Sequence, residues 1–170
     1  SACLVGSEMC IRDRPMQDPP LWQRLLGALA YLLPWSDAIP FGQALFGPLP
    51  WLRWLAIPAL PVLQLQQNIP LGGLVLFLVL FLAVVRNPQV PYWIRFNVLQ
   101  AILIDIVLVL LSLAFNTLLG PLGGSFLVHT LQNTVFLGAL LLVLFAVIQN
   151  LRGKEAEIPT VSEAVRMQLF

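Results

Sequence analysis

The sequence contains little charge, and what this absence excludes sets the class of the protein. Only 10% of its 170 residues are charged, against roughly 25% in an average soluble domain. The net charge of +1 does not supply the basic surface that a nucleic-acid-binding protein needs. Residues 55–85 and 106–151 contain no charged side chain, and each segment is long enough to cross a hydrocarbon core about 30 Å thick. We therefore predict an integral membrane protein.

Cysteine is also scarce, since Cys3 and Cys10 are the two in the chain. Both lie in SACLVGSEMCIRDR, whose style differs from that of the remaining sequence and resembles a translated sequencing adapter. We predict that residues 1–14 are a non-native leader and exclude them from fold reasoning. The remaining sequence then offers no disulfide, no thiolate nucleophile and no cysteine ligand for a metal.

The motifs of common enzyme classes are missing as well. The sequence has no GxSxG, no HExxH and no phosphate-binding loop. Intramembrane proteolysis would require paired aspartates, a Ser–His pair or a metal site, and Asp105 is predicted to be alone among the core residues. We therefore predict that the protein is not an enzyme and that it uses no cofactor and no metal.

What the sequence does contain is a series of long apolar segments that predict an all-α, polytopic membrane protein. Four transmembrane helices are expected at about 21–38, 69–86, 93–118 and 126–150. Together they make residues 21–150 one helical bundle. Pro34 is expected to kink or end the first helix, because proline lacks the backbone donor and crowds the preceding turn.

The segments between and after these helices have a different character. Residues 51–66 combine Trp51, Arg53 and Trp54 with two prolines, which favours an interfacial or re-entrant segment, although a crossing remains open. Residues 151–170 are predicted to form a cytoplasmic or stromal tail. Its Thr160-Val161-Ser162-Glu163 matches a capping box, which predicts a short amphipathic helix.

Basic residues are distributed unequally between the two predicted sides of the membrane. With four spans, only Arg53 falls on one side. By the positive-inside rule, both termini are therefore predicted to be cytoplasmic, or stromal in a plastid. The residues on the opposite, basic side are Arg24, Arg86, Arg95, Arg152, Lys154 and Arg166.

Asp105 is the most informative single residue, because an acid near the middle of a spanning helix costs roughly 2.5–3.5 kcal/mol to insert. It is expected to face the bundle interior. Two readings remain open: a transport role, or simple hydrogen bonding between packed helices. Spacings of seven and four residues place Ser112 and Asn116 on the same helical face, and that face should contact protein rather than lipid.

A second polar group begins the last helix, where His129, Gln132 and Asn133 share one side. A proton relay or a metal site is conceivable there, but one histidine with amide neighbours favours structural hydrogen bonding. Together with three residues near the start of the third helix, these groups form the candidate helix-packing or path-lining set. The set is Arg95, Asn97, Gln100, Asp105, Ser112, Asn116, His129, Gln132 and Asn133.

Several stretches of the sequence resemble the Tic20 family, especially its cyanobacterial members. They are YLLPWSDAIPFG, VRNPQVPYWIRFNVLQAILIDIVL, NTVFLG and LRGKEAEIPTVSEAV, within a similarity that covers residues 21–168. The signature is carried by Arg95-Phe96-Asn97, Gln100-Ala101 and Asp105-Ile106. In chloroplasts, family members are core subunits of the inner-envelope translocon and are proposed to contribute to a protein-conducting path.

The resemblance implies a non-catalytic membrane subunit of a protein-translocation or membrane-assembly complex. Its partners would be other membrane proteins or further copies of itself, translocating polypeptides and the lipid bilayer, with no nucleic acid. No transit peptide is evident, which favours a cyanobacterial plasma or thylakoid membrane, or a plastid-encoded protein of the inner envelope. The alternatives are a small-solute or ion transporter, which should show polar residues in more than one midplane helix, and a structural scaffold.

Overall fold

The computed structural model describes residues 19–120, 124–154, 165 and 167, and this part of the chain consists of helices joined by short turns, with no β-strand. The predicted leader and most of the tail lie outside the described residues. Six α-helices with two 3₁₀ segments and two π turns make up the described fold. The α-helices are α1 (Leu21–Ala30), α2 (Leu32–Ala38), α3 (Leu60–Asn68), α4 (Gly72–Leu80), α5 (Tyr92–Ala114) and α6 (Phe126–Leu151).

The first predicted span is divided into α1 and α2 at Tyr31. Pro34 explains the position of this break, because it cannot donate to the carbonyl of Ala30, which is therefore left without its usual helical partner. Helical bonding resumes one residue later, where the Trp35 amide donates to the Tyr31 carbonyl at 3.1 Å. The prediction that Pro34 interrupts the first helix is confirmed.

The proline-rich connection folds into 3₁₀ segments, Ile39–Gly42 and Pro50–Ala59, and the second leads directly into α3. The chain then reverses through Leu71, whose φ of 56° lies in the left-handed region. The next residue must be glycine, because a Cβ at Gly72 would lie 2.5 Å from the Gln66 carbonyl oxygen. Gly72 therefore permits a close approach of the chain, whereas a Cβ at Gly73 would make only an ordinary van der Waals contact, 3.9 Å from Gln66 Nε2.

Two helices are long and apolar enough to cross a membrane within the described residues. They are Tyr92–Leu119, which includes the π turn Phe115–Leu119, and Phe126–Leu151, with mean hydropathies of 2.6 and 2.3. A third crossing is possible if Pro50–Asn68 and Gly72–Val85 form one span, although they meet at an angle of 112°. The all-α membrane architecture is confirmed, and four complete spans with their orientation remain a prediction.

The α1–α2 unit lies between the two long helices and packs against both. A first core cluster, centred on Tyr31, Trp35 and Phe136, joins α1, α2, α5 and α6. A second cluster, around Phe96, joins α5 to Leu33 and Val85, and Val165 of the C-terminal segment is buried within it. Most outward side chains of the long helices are exposed leucine, valine and phenylalanine, as expected for surfaces that contact lipid.

Candidate functional site

An acid pair joins α2 to α5 inside the bundle. Asp105 is buried in α5 with 5% of its surface exposed, and its carboxyl group lies next to that of Asp37 in α2. The Asp105 Oδ1 atom finds no hydrogen-bond partner among the described residues. The prediction that Asp105 faces the bundle interior agrees with this position, but the expectation that it is alone among core residues is wrong.

A hydrogen bond between the neighbouring carboxyl groups of Asp37 and Asp105 would require a proton. A carboxylate has only acceptor atoms, so two carboxyl groups can share a hydrogen bond only when at least one of them is protonated. Two ionised carboxyl groups that lie side by side would also repel each other. A pair of neighbouring acids therefore holds one proton between its two carboxyl groups. No lysine or arginine among the described residues donates a hydrogen bond to either carboxyl group. A basic side chain therefore does not take the place of that proton.

The hairpin formed by α3 and α4 contacts the acid pair through Gln66. The Gln66 Nε2 atom donates to Asp37 Oδ1 at 3.2 Å, and Gln66 Oε1 lies 3.4 Å from the Ser36 hydroxyl. Ser36 Oγ itself donates to the Leu33 carbonyl at 2.7 Å. Three parts of the fold, α2, α3 and α5, therefore meet at one polar contact.

A cavity of about 320 Å³ adjoins Asp37 and extends along α5 toward its C-terminal end. Ser112 and Asn116 line it, together with Asp37 and apolar side chains. At 1.5 Å per residue, Asn116 lies roughly 16 Å along the helix from Asp105. On the predicted face, Asp105 is therefore covered by the protein, whereas Ser112 and Asn116 border the cavity.

The other predicted residues at the start of α5 make hydrogen bonds between or within helices. Asn97 and Gln100 are fully buried and lie 3.3 and 3.2 Å from the hydroxyl of Tyr31 in the first helix unit. Arg95 Nε donates to the Val85 carbonyl at 2.8 Å, at the end of the preceding π turn. All three lie in the described bundle as packing contacts rather than at the cavity.

The polar group of α6 is separate from the acid pair. His129 is exposed, while Gln132 and Asn133 are half-buried, and none of them lines the cavity at Asp37. The α1–α2 unit intervenes between α5 and α6, which explains why the two predicted polar faces do not meet. Asn133 Oδ1 is nevertheless buried without a hydrogen-bond partner among the described residues.

Sequence reasoning missed two groups that the fold brings together. Asp37 was not named as a candidate, although it lies at the end of the predicted span 21–38 and within the YLLPWSDAIPFG stretch that carries the resemblance, and that stretch is the available signal. Asn150 is fully buried, accepts from Trp93 Nε1 at 2.8 Å and donates to the Arg24 carbonyl at 2.8 Å. It therefore holds the start of α1, the start of α5 and the end of α6 at one end of the bundle.

An apolar groove of about 520 Å³ opens between α1, α4 and the start of α5. Its walls include Leu26, Leu33, Leu80 and Ile94, and Gln89 lies at its edge. Such a surface can accommodate an acyl chain or an apolar helix, but it offers no group for acid–base or nucleophilic chemistry. No cluster of three or more His, Cys, Asp or Glu side chains occurs in the part of the chain that the structure describes.

Comparison with known proteins identifies the relatives of this bundle. The family model described as "Chloroplast import apparatus Tic20-like" matches residues 9–165. The chain is 42% identical over 147 residues to a Tic20 family protein of Synechocystis, an alignment that covers 86% of the chain and 92% of the relative. It is 31% identical over 153 residues to Protein TIC 20-II, chloroplastic, of Arabidopsis thaliana, covering 88% of the chain and 74% of the relative.

A red-algal relative extends the comparison to a third lineage. The Tic20 family protein Ycf60 of Gracilaria tenuistipitata var. liui is 30% identical over 165 residues, covering 93% of the chain and 80% of the relative. The match to the family model takes in α1–α6, including both members of the acid pair. The chain therefore belongs to the Tic20 family.

Proposed function

We propose that this protein acts without catalysis, as an integral membrane subunit of a complex that moves polypeptides across or into a membrane. Membership of a family described as chloroplast import apparatus is the observation that carries the proposal. The acid pair does not argue for hydrolysis, because Asp105 is covered and only Asp37 borders the cavity. Hydrolysis by two carboxyl groups would need both of them to reach water and substrate.

The packing of the bundle supports a role within a larger assembly. Phe136 contacts the rings of Trp35 and Phe46, with centroids 5.6 and 5.8 Å apart, and Phe41 meets Phe115 edge to face. These aromatic side chains fill the space shared by the helices, as side chains do in other small helical bundles. A polypeptide path would therefore lie between this subunit and partners or further copies.

The cavity at Ser112 and Asn116 is the surface that we assign to contact with a partner or passenger. It combines amide and hydroxyl groups with apolar walls on a stretch of α5 whose outward side chains are otherwise exposed and apolar. Polar groups facing lipid would be unfavourable there, so a protein surface or water should cover them. The predicted group His129, Gln132 and Asn133 is proposed as a second contact, on a different helix.

Site-specific photo-crosslinking in native membranes tests this proposal. A crosslinking amino acid at Ser112 or Asn116 should trap proteins that mass spectrometry can identify, including nascent or translocating chains. The same group at Leu110, which is 59% exposed on α5 and does not line the cavity, should trap mainly lipid. The proposal fails if Ser112 and Asn116 trap only lipid, as Leu110 does.

A transporter of ions or small solutes is the second candidate, and the buried acid pair is the observation that favours it. Acids at membrane depth often mark ion or proton pathways. The purified protein in liposomes distinguishes the two functions, because a transporter should move a small solute without partners. Solute flux by the protein alone, combined with lipid-only crosslinks, would replace the translocation proposal.

A further inference from the structure

We propose that the Asp37–Asp105 pair is a proton-binding site, and that its bound proton holds the first helix unit and the hairpin against α5. The proton would lie between the two neighbouring carboxyl groups, of which Asp105 is buried with an unpartnered Oδ1 and Asp37 accepts from Gln66. Access is provided by the adjoining cavity that leads toward Asn116. The inference goes beyond the proposed translocation function and does not depend on which cargo the protein handles.

The unpartnered Asp105 Oδ1 is the second observation that points to a bound cation. This oxygen is buried in a side chain that is 5% exposed and receives no donor from the described residues. Its carboxyl neighbour already accepts from Gln66. A negative charge on the pair would thus have one amide donor and no positive partner, which strongly favours a bound proton.

The charged groups of the surrounding elements do not substitute for that proton. The segment 55–85, which includes α3 and α4, contains no charged residue and contributes Gln66. Arg53 of the 3₁₀ segment is exposed, and Arg95 of α5 donates to the Val85 carbonyl. On α6, the titratable residue is His129, which is exposed and does not line the cavity. Among the described residues, no cationic side chain therefore neighbours the pair.

Loss of the proton should loosen the contact between α2 and α5. Two carboxylates that face each other repel, and the hydrogen bond between them can no longer form. Because Gln66 is bonded to Asp37, the α3–α4 hairpin would be released together with α2. The predicted consequence is a bundle whose cavity at Leu108 and Ser112 widens at higher pH.

Infrared spectroscopy of the purified protein in lipid nanodiscs tests whether the proton is present. The carbonyl stretch of a buried protonated carboxyl group should be visible at neutral pH, should change in frequency or intensity in each of Asp37→Asn and Asp105→Asn, and should disappear in the double variant. These substitutions keep the size of the side chain and a hydrogen bond. Glu157→Gln, a change in the charged C-terminal segment of the sequence, serves as the control and should leave the band unchanged.

Thiol labelling tests whether the proton controls packing. Cys3 and Cys10 are replaced by serine, and Leu108, which is 4% exposed at the cavity, is replaced by cysteine. The labelling rate is compared with the rate in an Asp37→Asn/Asp105→Asn background. Above the pH at which the pair deprotonates, the ratio of the two rates should rise about tenfold per pH unit, because opening of the bundle is then linked to the loss of one proton. The double-amide background also corrects for titration of the thiol itself.

Two results would overturn the proposal. One is an infrared spectrum in which no protonated carboxyl band depends on Asp37 or Asp105. The other is a Leu108→Cys labelling rate that changes with sodium concentration at constant pH while the same band is missing, which would assign the pair to sodium instead. A band that depends on both acids, together with labelling that depends on pH and not on sodium, supports the proton site.

Discussion

Single polar side chains determine which helices of this bundle pack against each other, because the apolar helix surfaces alone would not select a partner helix. Apolar contact contributes little specificity between helices in lipid, because hydrocarbon tails are as apolar as leucine. Hydrogen bonds such as those of Tyr31, Gln66 and Asn150 do select a partner. Asn150 is the clearest case, since its amide joins a side chain of α5 to a backbone carbonyl of α1.

Replacement of Asn150 by alanine should therefore destabilise the protein. The change leaves the part-buried Trp93 indole N–H without its partner and removes the side-chain bond to the Arg24 carbonyl, and an unsatisfied donor of this kind costs about 1–3 kcal/mol. Gln149→Ala is the matched control, because Gln149 Oε1 already lacks a hydrogen-bond partner among the described residues. Chemical unfolding in detergent micelles should show a larger loss for Asn150→Ala, and equal losses would contradict the assigned role.

The residues also show how far sequence reasoning reaches. The inward position of Asp105 follows from the cost of placing an acid in lipid, and the sequence therefore identified it. Its partner Asp37 lies 68 positions earlier, at the end of the predicted first span, and was not identified, because helical periodicity does not report which helices become neighbours. Only the packing of α2 against α5 brings the two acids together.

At the scale of elements, breaks in the helices were easier to predict than their consequences. Pro34 divides the first helix as expected, and the segment 51–66 is a bent, partly 3₁₀ structure, as its prolines indicated. The sequence did not reveal what the two adjacent glycines do. The structure distinguishes them, because a side chain at Gly72 would collide with the backbone of α3 and one at Gly73 would not.

We expect Gly72→Ala and Gly73→Ala to have opposite effects on stability. The first should destabilise by about 1–3 kcal/mol, the usual range for forcing extra atoms into a packed contact. The second should be neutral or stabilising by up to about 1 kcal/mol, because alanine favours a helix more than glycine does. Thermal unfolding of the two purified variants in the same detergent gives the comparison, and a Gly73→Ala variant as unstable as Gly72→Ala would refute this account of the turn.

For the whole molecule, the sequence predicted the helices but not their order in space. The predicted spans correspond closely to α1–α2, α4 with its π turn, α5 and α6. Their arrangement, with α1–α2 between the long helices, could not be derived from hydropathy, because each helix is apolar on most of its surface. Asn150, Trp93, Arg24 and Arg95 make their bonds at one end of the bundle, which agrees with the predicted clustering of basic residues on one side.

The central claim, that this Tic20 family protein handles polypeptides, is tested most directly by acute depletion in the organism that carries it. Newly made proteins are pulse-labelled minutes after depletion, and protease protection then reports on which side of the membrane each one lies. We predict that a defined set of polypeptides fails to cross or insert, while ion and solute gradients persist over the same interval. Normal localisation of all labelled polypeptides, with an immediate loss of a solute or ion gradient, would contradict the account.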